Sequence, residues 1–111
     1  MAEQYGVIAQ SNPVAATDTD IFTVLAATRA VVSSINIANR SASPVACRLW
    51  FAPLGVATAD AQYIYFDVSV PANDALLWGG GATFIATDVI RGRAASQQLS
   101  FTVNGIIEDA P

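Results

Sequence analysis

Polar and apolar residues alternate along most of this chain. In 31–37 (VVSSINI), Val31, Ser33, Ile35 and Ile37 share one side, and Val32, Ser34 and Asn36 the other. In 45–51, Val45, Cys47, Leu49 and Phe51 oppose Ala46, Arg48 and Trp50. In 62–70, Ile64, Phe66, Val68 and Val70 oppose Tyr63, Tyr65, Asp67 and Ser69, and in 99–103, Leu99, Phe101 and Val103 oppose Ser100 and Thr102. A period of two is the mark of a half-buried strand that gives one face to a core. Weaker strands are expected at 4–9 (QYGVIA), 20–25 (DIFTVL), 75–78 (ALLW) and 88–94 (DVIRGRA). Turn chemistry fills the breaks: SNP at 11–13, NRSASP at 39–44, PLG at 53–55, PAND at 71–74 and GGG at 79–81. The GGG run reads as a loop or bulge that needs positive φ. Residues 54–62 hold no more than one helical turn. About eight short strands predict an all-β fold, a single antiparallel β-sandwich of jelly-roll or Ig-like topology spanning 1–111. The ends, MAE and EDAP, are expected to be loose or to order on a neighbour.

Composition turns this fold prediction toward assembly. The chain has 111 residues, enough for one core. Apolar residues make up 53% and charged residues only 13%, about half the usual charged share. That is more Ala, Val and Ile than one small core hides, so apolar surface is expected to face a partner. The net charge is −4, with nine acids against five arginines and no lysine. Such a chain repels phosphates, which argues against a nucleic-acid partner. No stretch is long and apolar enough for a membrane helix, and the N-terminus lacks the basic start and apolar run of a secretory signal. A soluble protein made in a cytoplasm is expected.

The residues for catalysis are scarce. Histidine and lysine are absent, which removes Ser-His-Asp, Cys-His and Schiff-base schemes from this chain. One cysteine, Cys47, forms no internal disulfide and is too few for zinc; its inward phase makes it a small buried hydrophobe. Asp18 and Asp20 in TDTD lack the loop pattern of a calcium site. Asp74 and Asp88 stand beside turns, where bonds to backbone account for them. No enzyme, cofactor or metal site is expected.

What remains is a set of side chains that alternation turns outward. Trp50, Tyr63 and Tyr65 face away from the apolar sides of their strands, and Arg48, Arg91 and Arg93 project from alternating positions. Tyr, Trp and Arg are the residues enriched at interface hot spots, so these six are the candidate contact residues. Stacking of the aromatics on sugar is the competing use. Trp78 is placed in or near the core.

Over nearly its whole length the chain resembles a group of virion proteins of roughly a hundred residues from tailed bacteriophages. The resemblance rests on segment order: YGVIAQSNP, DIFTV, VVSSINIANRSASP, QYIYFDVSVPAND, ATDVIRG and LSFTVNG. It implies a small β-sandwich used in many copies in the virion, without enzymatic activity. The tail tip, baseplate or fibre is the first placement, capsid decoration at coat-subunit junctions the second, and a carbohydrate-binding receptor module the third. Other virion proteins are the implied partners, with self-association, a trimer first among the possible orders.

Overall fold

The computed structural model describes residues 3–110. Nine strands are seen among them: β1 (Gln4–Ser11), β2 (Thr19–Thr23), β3 (Thr28–Asn39), β4 (Val45–Ala52), β5 (Tyr63–Val70), β6 (Ala75–Trp78), β7 (Ala82–Ile85), β8 (Val89–Ala94) and β9 (Leu99–Asp109). Two 3-10 turns, Pro53–Gly55 and Asp60–Gln62, occupy the segment expected to hold at most one helical turn. Met1, Ala2 and Pro111, parts of the ends expected to be loose, lie outside the described residues. Glu108 and Asp109, by contrast, are the last residues of β9.

The strands form two antiparallel sheets. One has the order β1-β9-β3-β6, with β7 also paired to β3; the other has the order β2-β8-β4-β5. β6 lies beside 35–38 of β3 and β7 beside 29–32, so they are two halves of one strand. The break between them is the glycine run, where Gly81 takes a φ of 72° as the sequence led us to expect. Counted this way, the chain visits the sheets in the interleaved order of a jelly roll, two Greek keys folded together. An Ig-like path would keep its first two strands in one sheet; here β1 and β2 lie in different sheets.

Bulges decide which residues reach the core. The register of β3 against β9 jumps between Val32 and Ser34, which makes Ser33 an extra residue. Ala30 and Val32 face inward before it, Ile35 and Ile37 after it. Val32 is 0% exposed and Val31 38%. The expected common side of Val31, Ser33, Ile35 and Ile37 is thus corrected: the first two lie outside. A matching irregularity sits between Val7 and Ala9 of β1, and Val7 and Ser34 both face Asn104 of β9. With the break at 79–81 these form a line of irregularities across the sheet.

β5 departs further from simple alternation. Its partners on β4 run Trp50↔Tyr63, Leu49↔Tyr65 and Cys47↔Val68, so the strand carries extra residues on either side of Tyr65. Asp67 takes a left-handed φ of 54°. Tyr65, Val68 and Val70 pack toward the core, and Phe66 is exposed. This reverses the expected phase for Tyr65 and Phe66.

Between the sheets lie Ile35, Ile37, Leu49, Ile90, Leu99, Phe101 and Val103, all without solvent exposure. Burying a side chain of this size contributes about 1.5–3 kcal/mol. Gly92 lets β8 approach them: a Cβ there would lie 2.5 Å from Ile21 Cδ1 and 3.1 Å from the Phe101 ring. Phe51 joins the cluster from its side, edge-on to Trp78 at 5.4 Å and to Phe84 at 4.9 Å. One end of the sandwich is closed by polar bonds. Arg40 reaches Ser100 Oγ at 3.0 Å, Asn12 Oδ1 at 3.1 Å and the Gln97 carbonyl at 2.8 Å.

Candidate functional site

Five of the six candidate contact residues meet on the outer face of the four-stranded sheet; Tyr65 lies on the inner side. Strand pairing places Asp20, Arg91, Trp50 and Tyr63 in one cross-strand row. In the next row Arg48 stands directly opposite Arg93. Two like charges at that spacing repel, and each is neutralised by its own aspartate. Arg48 donates twice to Asp67, Nε to Oδ1 at 2.7 Å and Nη2 to Oδ2 at 3.2 Å. Arg93 Nη1 lies 3.1 Å from Asp18 Oδ1. Arg91 Nε lies 2.9 Å from Asp20 Oδ1, and its Nη1 and Nη2 donate to the carbonyls of Val56 and Gly55. The two aspartates of TDTD therefore serve arginines some seventy positions away, a use that their local pattern does not disclose.

Electrostatics follow from these pairs. The hydrogen bond from Arg48 holds the Asp67 carboxyl below its ordinary value, against an opposing push from desolvation. The same bond raises Arg48 further. Beneath them a hollow of about 240 Å³ is lined by Arg48, Asp67, Arg93, Cys47 and the alanines 16, 46 and 95. The Cys47 thiol is buried and pushed up to about 11, first by burial and then by the charge of Asp67. That environment suits a packed hydrophobe, as its phase in β4 predicts, and disfavours a thiolate.

The aromatics need correction. Trp50 does sit on the outer side of its strand, yet it is completely buried. The loop between β4 and β5 folds over it: Trp50 Nε1 donates to Thr58 Oγ1 at 3.1 Å, and the Tyr63 ring lies 5.1 Å from it. Asp88 anchors the start of this loop, accepting from the amides of Leu54 at 2.8 Å and Ile85 at 2.9 Å. Tyr65 packs against the core from the inner side. Neither ring is an open platform. On this face the exposed aromatic is Phe66, assigned to the core by alternation; it meets Tyr63 edge-on at 4.8 Å and carries the Arg48 guanidinium 4.1 Å from its centroid. Its neighbourhood YIYFDV contains no glycine or proline to signal the bulge that turns it out.

The opposite face of the molecule is of another kind. On the outer side of the five-stranded sheet, Tyr5 pairs across to Ile106 and Ile106 to Val31, with Thr83 completing the row. Tyr5, Val7, Val31, Leu77 and Ile85 are exposed there. Ser33, Asn36, Thr102 and Asn104 fill the spaces between them, and the charged pair on this face is Arg29 with Glu108. Sequence reasoning passed over this face because Val31 was placed inside and β7 was not expected.

Among the described residues no three His, Cys, Asp or Glu side chains gather as metal ligands. No family model matches the chain, and a search of curated proteins finds no match in sequence.

Proposed function

We propose that this chain is a non-enzymatic structural component of a tailed-phage virion, placed in the tail tip, baseplate or fibre and working through protein–protein contacts. The observation that carries the reading is the contrast between the two outer faces. On the arginine-bearing face each guanidinium of Arg48, Arg91 and Arg93 is matched by an aspartate. The other face exposes Tyr5, Val7, Val31, Leu77 and Ile85, with Arg29 and Glu108 as its charged pair and uncharged polar residues between the rest, close to the balance expected at the centre of a subunit contact. Jelly rolls recur in viral shells and in lectins, so the topology supports the reading by analogy only.

Self-association into a closed ring, a trimer first, would cover that face with few distinct contacts. A stable contact buries about 1,200–2,000 Å² in total. The test is Val31→Asp, which puts a charge at the middle of the apolar face without touching the core. The wild-type chain is expected to sediment as an oligomer and to be incorporated into particles; the variant is expected to remain folded and to do neither. Equal incorporation of both would remove the reading. Copy number then fixes the placement: a few to a few dozen copies per particle mean tail, hundreds mean capsid.

A further inference from the structure

Phe66 is held in solvent by the backbone. With Val68 and Val70 facing the core, unbroken alternation would bury residue 66 as well. The extra residue and the left-handed Asp67 turn it out, leaving the ring 54% exposed. A left-handed non-glycine residue and an exposed phenylalanine both lower stability, and such strain gathers at functional positions. The ring is also fixed in place. Tyr63 meets it edge-on and Arg48 covers one side, itself held by two bonds to Asp67. Beside it opens a shallow hollow of about 340 Å³ lined by Asp60, Tyr63 and Phe66. Asp60 starts a 3-10 turn on the rim, is exposed, and its carboxylate accepts no hydrogen bond from any described residue.

We propose that this hollow binds the pyranose ring of a neutral sugar, with the C–H face of the sugar on Phe66 and its hydroxyls donating to Asp60. The π face of an aromatic ring is negative and attracts the weakly positive hydrogens on one face of a pyranose. A carboxylate is the stronger acceptor for the hydroxyls at its edge. The sugar is neutral because Arg48 and Arg93 are already matched by Asp67 and Asp18, so an acidic sugar finds no free cation and is repelled by Asp60. A protein partner is the weaker fit, since interface centres are depleted in charge and Phe66 stands among Arg48, Asp67 and Asp60. This site goes beyond the assembly role and does not rest on it.

The experiment is a titration of the isotopically labelled chain with the methyl glycosides of glucose, galactose and N-acetylglucosamine, followed by amide NMR. At least one glycoside is expected to shift the amides of 60–67 with saturation in the millimolar range. Phe66→Ala should weaken binding by about tenfold or more, with an unchanged circular dichroism spectrum. Asp60→Ala, on an exposed turn where folding is not at risk, should weaken it several-fold. No localised shift with any of the three glycosides, shifts centred elsewhere, or full affinity in both variants would overturn the proposal. A Phe66→Ala chain that binds as before but changes its sedimentation would make Phe66 a subunit contact, and the sugar site would fall.

Discussion

The side-chain amide of Asn39 donates to the main-chain carbonyl of Val70 at 3.0 Å, joining the end of β3 to the end of β5. The same nitrogen reaches the carbonyls of Ser43 at 2.8 Å and Pro71 at 3.2 Å, and its Oδ1 accepts from the amide and hydroxyl of Ser41. Two more bonds run between the same turns, from the Asn39 amide to the Asp74 carbonyl and from the Asn73 amide to the Ser41 carbonyl. NRSASP and PAND, far apart in sequence, are one structure.

Asn39 is therefore the polar residue whose removal should matter most. Asn39→Ala leaves the buried Val70 carbonyl, and the part-buried Ser43 and Pro71 carbonyls and Ser41 amide, without their side-chain partner; a buried group left so costs about 1–3 kcal/mol. We expect a loss of about 2–4 kcal/mol in urea unfolding, and a larger loss for Asn39→Asp, which would set a carboxylate against carbonyl oxygens. An unchanged midpoint for Asn39→Ala would mean that the turns hold together without it.

The bulge at Ser33 makes opposite demands on two adjacent valines. Val32→Asp puts an unpaired charge between the sheets and should abolish folding, as should Phe101→Asp. Val31→Asp should cost less than about 1 kcal/mol of stability. Circular dichroism and thermal melts of the pair decide the register; a folded Val32→Asp beside an unfolded Val31→Asp would restore the plain alternation.

Asp67 carries the pH dependence of the arginine face. Folding lowers its pKa from the ordinary value of 3.8 through the hydrogen bond from Arg48. A carboxyl lowered by folding adds stability above its unfolded value and loses that stability as the pH falls through the folded one. Both side chains are open to solvent, so screening keeps the contribution small. Carboxyl NMR should show Asp67 titrating below the ordinary value, and moving back toward it in Arg48→Gln. An unmoved titration would mean that the pair does not form in solution.

Cys47 should be inert. With its thiol pushed up to about 11, about a thousandth of it is thiolate at pH 8, and the buried sulfur is shielded besides. Reaction with an aromatic disulfide reagent is expected to be slow in the native chain and fast in denaturant. Rapid native labelling would show that β4 and β5 separate readily.

The strands at 45–51 and 99–103 were legible because their alternation is unbroken: Val45, Cys47, Leu49, Leu99, Phe101 and Val103 all face the core. The phase of β3 was not, because a bulge changes side by one residue and Ser33-Ser34 differs little from two ordinary strand residues. β5 hid its turn in the same way, with aromatics in either phase. β7 was lost because ATFI is four residues long and follows three glycines, and its partner on β3 lies some fifty positions back. The Arg91–Asp20 and Arg93–Asp18 pairs depend on β2 lying against β8, a neighbour relation that no local pattern states.

β9 runs between β1 and β3, the first strand of the chain and the third. During synthesis β1 has no strand partner, and β3 lacks one of its two, until the ninth has cleared the ribosome. Chains ruled by such distant pairings fold in milliseconds to seconds, and stalled ones expose edges that join other chains. This sheet is thus completed only once its last strand has been made, and a nascent chain halted before residue 99 holds two strands with a gap between them where the central one belongs.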